Sequence, residues 1–280
     1  MNRRLGNPVR GSRRANSTSA CDRPIRATMR VAAVGDLHCK RNSQGNFQSL
    51  FAAMAGAAEA IVLCGDLTDL GLAEEARVLV KEMVPAKSTP IVAVLGNHDY
   101  ESGEVEQVKA ILGEAGVALL DGDAVEIQGV GFAGAKGLGG GFGQRALQPW
   151  GEEIMKRFVR EAIDEAPKLE SALAKLRTSQ QVVALHYSPV RETVEGEPTE
   201  IFAFLGSSRL EEPLLRYPVN VVFHGHAHRG TPEGRTRNGV PVYNVCLPLL
   251  TDPEGRRPPF KLVDLDHLEA SVEQVAAASR

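Results

Sequence analysis

Five short apolar runs in this chain are each followed at once by residues able to bind a metal or move a proton. Asp36 and His38 stand in GDLH after VAAV (31–34), and Asp66 and Asp69 stand in GDLTD after IVLC (61–64). Asn97, His98 and Asp99 stand in GNHD after IVAVL (91–95). His186 follows VVAL (182–185), and His224, His226 and His228 form HGHAH after VNVVF (219–223). Six of the seven histidines lie in these segments, with only His267 elsewhere. Imidazole, carboxylate and amide oxygen, without thiolate, suit Mn²⁺, Fe or Zn²⁺ in a working site better than a Cys-rich structural zinc site. A lone His or Asp in a loop is most often an ordinary polar residue. That reading does not account for five clusters at five run ends.

The elements around these clusters explain how they would meet. Each apolar run is uninterrupted and rich in β-branched residues, as suits a strand buried on both faces. Between the early runs, Phe47 to Ala60, Leu72 to Val84 and Glu104 to Glu114 show helical spacing of apolar residues. The alternation predicts an α/β domain with a largely parallel sheet. Ligands of such sheets bind outside the carboxyl ends of the strands, so all five clusters would reach one edge. Glycines before Asp36, Asp66, Asn97 and His226 let the chain leave the strand sharply and come close to a ligand. AVEIQGVGFAG (124–134) predicts a hairpin, and RTRNGVPVYNV a second one, with Asn238-Gly239 suited to a two-residue turn. Phe260 to Leu265 predicts a further strand, and Trp150 to Leu176 one long helix carrying Pro167. With no internal repeat and no later break in composition, residues 29–280 form one expected domain.

The 280 residues are 43% apolar, 24% charged and 5% aromatic, a globular profile. The formal charge of −3 hides an asymmetry. Residues 1–30 hold eight arginines against the single acid Asp22, leaving 24 bases against 34 acids in the rest. An acidic body argues against nonspecific nucleic-acid binding, which rests on Lys and Arg neutralising phosphates. Residues 1–28 read as a disordered basic segment, with no apolar stretch that would make a secretory signal. The four cysteines (Cys21, Cys39, Cys64, Cys246) form no CxxC pair, which points to a reducing cytoplasm. No apolar run approaches the roughly 20 residues of a membrane-spanning helix.

Taken in order, DLH, GDLTD, GNHD, the lone His of HYSP, and GHAH resemble the calcineurin-like metallophosphoesterase family over about residues 30–250. The resemblance implies a four-layer α-β-β-α sandwich of two facing mixed sheets, with the metal site at strand C-terminal ends. It implies two divalent metal ions, one held by Asp36, His38, Asp66 and His228 and the other by Asp66, Asn97, His186 and His226. A bridging Asp66 would offset the repulsion of two cations about 3.5–4 Å apart, and such a pair acidifies a bridging water to hydroxide for in-line attack on phosphorus. His98 would be the general acid for the leaving oxygen, or a clamp on the phosphate. The Asp69 carboxylate would orient its ring.

Departures from the family narrow the resemblance. Leu70 stands where phosphoprotein phosphatases carry the arginine of GDxxDRG, and Asp99 where they carry the glutamate of GNHE. Asp69 stands where purple acid phosphatases carry a tyrosine. What remains resembles the bacterial group that includes cyclic-nucleotide phosphodiesterases. The expected activity is hydrolysis of a small phosphate mono- or diester, with the diester favoured. A nuclease of the same superfamily and a non-catalytic scaffold are the weaker alternatives, and a homodimer is one oligomeric option. AGAKGLGGGFGQ (133–144) lacks GK[ST] and reads as a flexible loop near the site. His224 reads as structural or supporting, Cys39 as no ligand, and Tyr187 and Arg191 as ordinary loop residues.

Overall fold

The computed structural model describes residues 29–266; the basic segment 1–28 and His267 lie outside the described residues. Along the chain run β1 (Arg30–Val34), α1 (Gln48–Ala57), β2 (Ala60–Cys64), α2 (Ala73–Glu82), β3 (Ile91–Val94), α3 (Val105–Glu114) and β4 (Val117–Leu119). Then follow β5 (Asp123–Ile127), β6 (Val130–Ala135), α4 (Glu153–Lys175), β7 (Gln180–Leu185), β8 (Val221–His224), β9 (Glu233–Arg235), β10 (Pro241–Asn244) and β11 (Lys261–Asp264). All five apolar runs are strands, and the three early helical patterns are helices.

Where the run pattern predicted one largely parallel sheet, the strands form two mixed sheets, in the orders β11-β1-β2-β3-β4 and β5-β6-β7-β8-β10-β9. In the first, only β11 is antiparallel to its neighbour. In the second, β6, β7, β8 and β10 are parallel, and β5 and β9 are antiparallel edges. Apolar runs of the same kind serve both sheets, so nothing in the pattern divides them.

Alternation along each run sorts its side chains into layers. Val31, Ala33, Val62, Val92 and Val94 pack with Val130, Phe132, Val182, Ala184 and Phe223 between the two sheets. Their sequence neighbours Ala32, Val34, Ile61, Leu63 and Ala93 face Phe51, Met54, Leu79, Val108 and Leu112 of α1 to α3. On the far side, Ala133, Val183, Leu185 and Val222 meet Leu169 and Leu173 of α4. Three apolar layers therefore hold four structural ones, the sandwich that the resemblance implies.

Two elements differ in detail. The long helix begins at Glu153 rather than Trp150 and runs through Pro167. The Asn238-Gly239 hairpin pairs Arg235 with Pro241, so its loop spans residues 236–240 rather than two. Pro241 has no N–H to extend the ladder inward. The Thr236 amide donates to the Val240 carbonyl at 2.9 Å, and the Thr236 hydroxyl accepts from the Val240 amide at 2.9 Å.

The loop between the first site segment and α1 is held from α2. The buried Glu82 carboxylate accepts from the amides of Gly45 at 2.7 Å and Phe47 at 2.8 Å. Glu82→Ala strands both donors and is expected to cost about 2 kcal/mol in urea unfolding. A change within about 0.5 kcal/mol, the usual range for surface substitutions, would show that the loop stands without it.

Candidate metal centre

The ends of β1, β2, β3, β7 and β8 deliver the predicted residues to one edge, where the two sheets face each other. The backbone there is forced. Asp36, His38, Asp66 and His226 all have positive φ (58°, 45°, 48° and 72°), four of the five non-glycine residues of the described chain that do. Such conformations cost about 1–3 kcal/mol each and persist where the surroundings impose them. Loops run side by side to impose this one: Asp36 N donates to Gly65 O at 2.9 Å, and His38 N to Asp66 O at 2.9 Å. Gly96 lies so close that a Cβ there would strike the Asp66 carboxylate and amide, and a Cβ on Gly65 would strike the His186 ring.

Asp66 stands at the middle and is 1% exposed. Its Oδ2 faces His38 Nε2 at 3.8 Å, and its Oδ1 faces His186 Nε2 at 3.4 Å while accepting from the His98 amide at 2.8 Å. On the His38 side, Asp36 Oδ1 lies 3.0 Å from His228 Nε2, and the His38 and His228 rings are 5.4 Å apart. On the other side, Asn97 Oδ1 lies 2.9 Å from His186 Nε2, and the His186 and His226 rings are 4.8 Å apart. The seven predicted ligand residues are thus brought together, as two groups meeting at one carboxylate.

The donor set fits cations. His38 Nε2 is buried and has no hydrogen-bond partner. His186 Nδ1 donates to the Cys64 carbonyl at 2.9 Å, which turns Nε2 toward the oxygens of Asn97 at 2.9 Å and Asp66 at 3.4 Å. A positive ion among these atoms satisfies all of them. Fixing one imidazole nitrogen on a backbone carbonyl is also how metal-ligating histidines are usually oriented. The acid–base states agree. Burial, with His186 nearby, holds the His226 ring down at about 3, and burial lowers His38, so both stay neutral. For Asp36, burial pushes upward, but the His228 hydrogen bond and the His186 and His228 charges bring it to about 2. The bond to Asp36 raises His228 in turn.

His98 stands beside this cluster, its ring 4.6 Å from that of His38. The expected contact with the Asp69 carboxylate is not what the structure shows. His98 Nδ1 donates to the Asp69 main-chain carbonyl at 2.6 Å, while the Asp69 carboxylate faces His38 Nδ1 at 3.6 Å and Lys40 Nζ at 3.7 Å. The chain turn at Leu70-Gly71 puts the carbonyl, rather than the longer side chain, within reach of the ring. The bond leaves His98 Nε2 free to face a bound group.

Three residues gain roles the sequence did not assign. Asp99, fully buried, accepts from the amides of Leu67, Thr68 and Gly96 and from the Thr68 hydroxyl, tying the loop after β2 to the loop after β3. Tyr187, read as a loop residue, is buried with its ring 4.4 Å from His226 and 5.2 Å from His186. Cys246 lies with Asp36 and His228 in one group of potential ligand atoms. Burial keeps its thiol far above the usual range, so it is a donor to Asp36 rather than a thiolate. Its place just after β10, another parallel strand, was the available signal.

Other residues stay outside the cluster. His224 bonds Gly225 O at 2.8 Å and Thr193 Oγ1 at 2.7 Å, a satisfied core histidine. Cys39 Sγ points to Glu75 O at 3.8 Å, and burial raises it to about 12. The glycine-rich stretch is bound rather than free. Gly137 N donates to Glu165, Gly140 N to Ala203 O, Gly141 N to Gly206 O and Gly143 N to Ser208 Oγ. Small residues there allow backbone-to-backbone contact with residues 203–208, and those four amides are spent.

A four-layer α/β sandwich with imidazoles, carboxylates and an amide converging at its strand ends defines a metal-dependent hydrolase scaffold. The sequence profile of the calcineurin-like phosphoesterase family matches residues 29–230, and the chain belongs to that family of metal-dependent phosphoesterases. Among solved structures, a phosphopantetheinyl hydrolase from Mycobacterium tuberculosis shares the fold with a TM-score of 0.57 at 13% identity, over 83% of this chain and 95% of that one. A protein from Thermus thermophilus aligns at a TM-score of 0.47 and 15% identity, over 85% of this chain and 100% of that one. No curated protein matches the sequence.

Gly96→Ala should push Asp66 out of place without unfolding the sandwich. Calorimetric titration with Mn²⁺ is expected to show at least about tenfold weaker binding with an unchanged far-ultraviolet spectrum. Wild-type affinity in this variant would mean that the close approach is not needed.

Proposed function

We propose that the protein is a dinuclear phosphoesterase, in the branch that resembles bacterial cyclic-nucleotide phosphodiesterases, acting on a small phosphate diester in preference to a monoester. The observation that carries the dinuclear reading is Asp66, whose two oxygens face imidazoles from two separate groups. Asp36, His38, Asp66 and His228 would hold one ion, and Asp66, Asn97, His186 and His226 the other. Such a pair, when bound, polarises phosphoryl oxygens and acidifies water.

The chain's own residues supply positioning and the proton. His98 is steered by the Asp69 carbonyl, so a protonated Nε2 can give its proton to the leaving oxygen. Tyr187 braces the rings of His186 and His226 against rotation. The preference for a diester follows from charge. A monoester dianion gains more than a diester monoanion from spare cations. Lys40, beside the centre, already faces the Asp69 carboxylate at 3.7 Å.

His98→Ala separates proton transfer from metal binding. The variant is expected to keep two metals per chain by elemental analysis and to lose about 10²–10⁴-fold in kcat on an alkyl phosphodiester. On bis-p-nitrophenyl phosphate, whose phenolate hardly needs a proton, the loss should be far smaller. Asp66→Ala should lose metal and activity together. Equal impairment of His98→Ala on both esters would make it a phosphate clamp, and loss of metal would overturn its assignment.

A further inference from the structure

Most exposed apolar side chains on a folded protein are scattered singly and mean nothing. Here several of the largest are neighbours. Ile154 and Phe158 are one turn apart on α4, on the same face. Ile154 is 75% exposed, and the Phe158 ring lies 6.1 Å from that of Phe204, itself 57% exposed. Trp150, 74% exposed, stands just ahead of the helix. This strip meets the metal centre through one residue. The carbonyl of Phe204 contacts His226 Nε2 at 3.1 Å, so the Phe204 side chain springs from the backbone that steers a predicted ligand histidine. The glycine-rich stretch fixes Phe204 in place, since Gly140 N bonds Ala203 O at 2.7 Å and Gly141 N bonds Gly206 O at 2.9 Å.

Contiguous apolar surface left in water marks a binding site, and the Phe158–Phe204 contact carries this one to the backbone beside His226. From this juxtaposition we infer that the phosphate ester taken by the site carries a bulky hydrocarbon substituent, which rests on Phe204, Phe158 and Ile154 while the phosphate sits at the metal centre. The inference rests on the phosphoesterase reading and adds the substrate class.

The test holds the chemistry constant and varies the substituent. Mn²⁺-loaded protein is assayed on methyl, phenyl and hexyl p-nitrophenyl phosphate, which share one leaving group. Each methylene fully buried is worth up to about fourfold in binding, so a half-covered chain predicts a KM about tenfold or more lower for hexyl than for methyl. Phe204→Ser, and separately Phe158→Ser with Ile154→Ser, should shrink that ratio to under about twofold at unchanged melting temperature. Hydrolysis of all three esters with one KM overturns the inference and leaves the phosphoesterase reading standing. No turnover of any ester overturns both. Sedimentation covers the competing occupant: a wild-type dimer that Phe204→Ser dissociates would make the strip an interface between copies, against the proposal.

Discussion

Everything at this edge depends on where one carboxylate is held. Asp66 leaves β2 with φ 48°, and its two oxygens look toward His38 from the first sheet and His186 from the second. Neither sheet alone contains that arrangement. It exists because the central apolar layer, from Val31 and Val62 to Val182 and Phe223, packs the sheets with their parallel strand ends on the same side. Asp99 then ties the loop after β2 to the loop after β3, with four donors on one buried carboxylate. The strain of four left-handed residues is tolerable because the sandwich beneath them is stiff.

Burial governs the chemistry as well as the geometry. Withdrawing His226 and His38 from water holds their rings neutral, the form that can share a lone pair. It also keeps Cys64 and Cys246 protonated beside Asp36, so the centre stays a nitrogen and oxygen site although sulfur is close. The same burial makes unpartnered polar atoms expensive. His38 Nε2 carries that cost, and a bound cation removes it.

Much of this was legible in the sequence, for physical reasons. A strand buried on both faces must be apolar throughout, so the five runs stood out, and Gly-Asp, Gly-Asn and Gly-His at their ends marked where chain and ligand meet. Run composition could not say which strands share a sheet, because β2 and β7 look alike while lying in different ones. Contacts made by backbone atoms were equally hidden. The sequence suggested the Asp69 carboxylate for His98, where the turn supplies the Asp69 carbonyl. Tyr187 and Cys246 escaped because their importance lies in what they stack on or donate to. Phe204 did so because Phe158, 46 positions earlier in the sequence, completes its surface.

Anomalous scattering from crystals soaked in Mn²⁺ would locate the bound ions. Two strong peaks are expected about 3.5–4 Å apart, one on either side of the Asp66 carboxylate. A single peak, or two peaks too far apart for one carboxylate to touch both, would contradict the dinuclear reading.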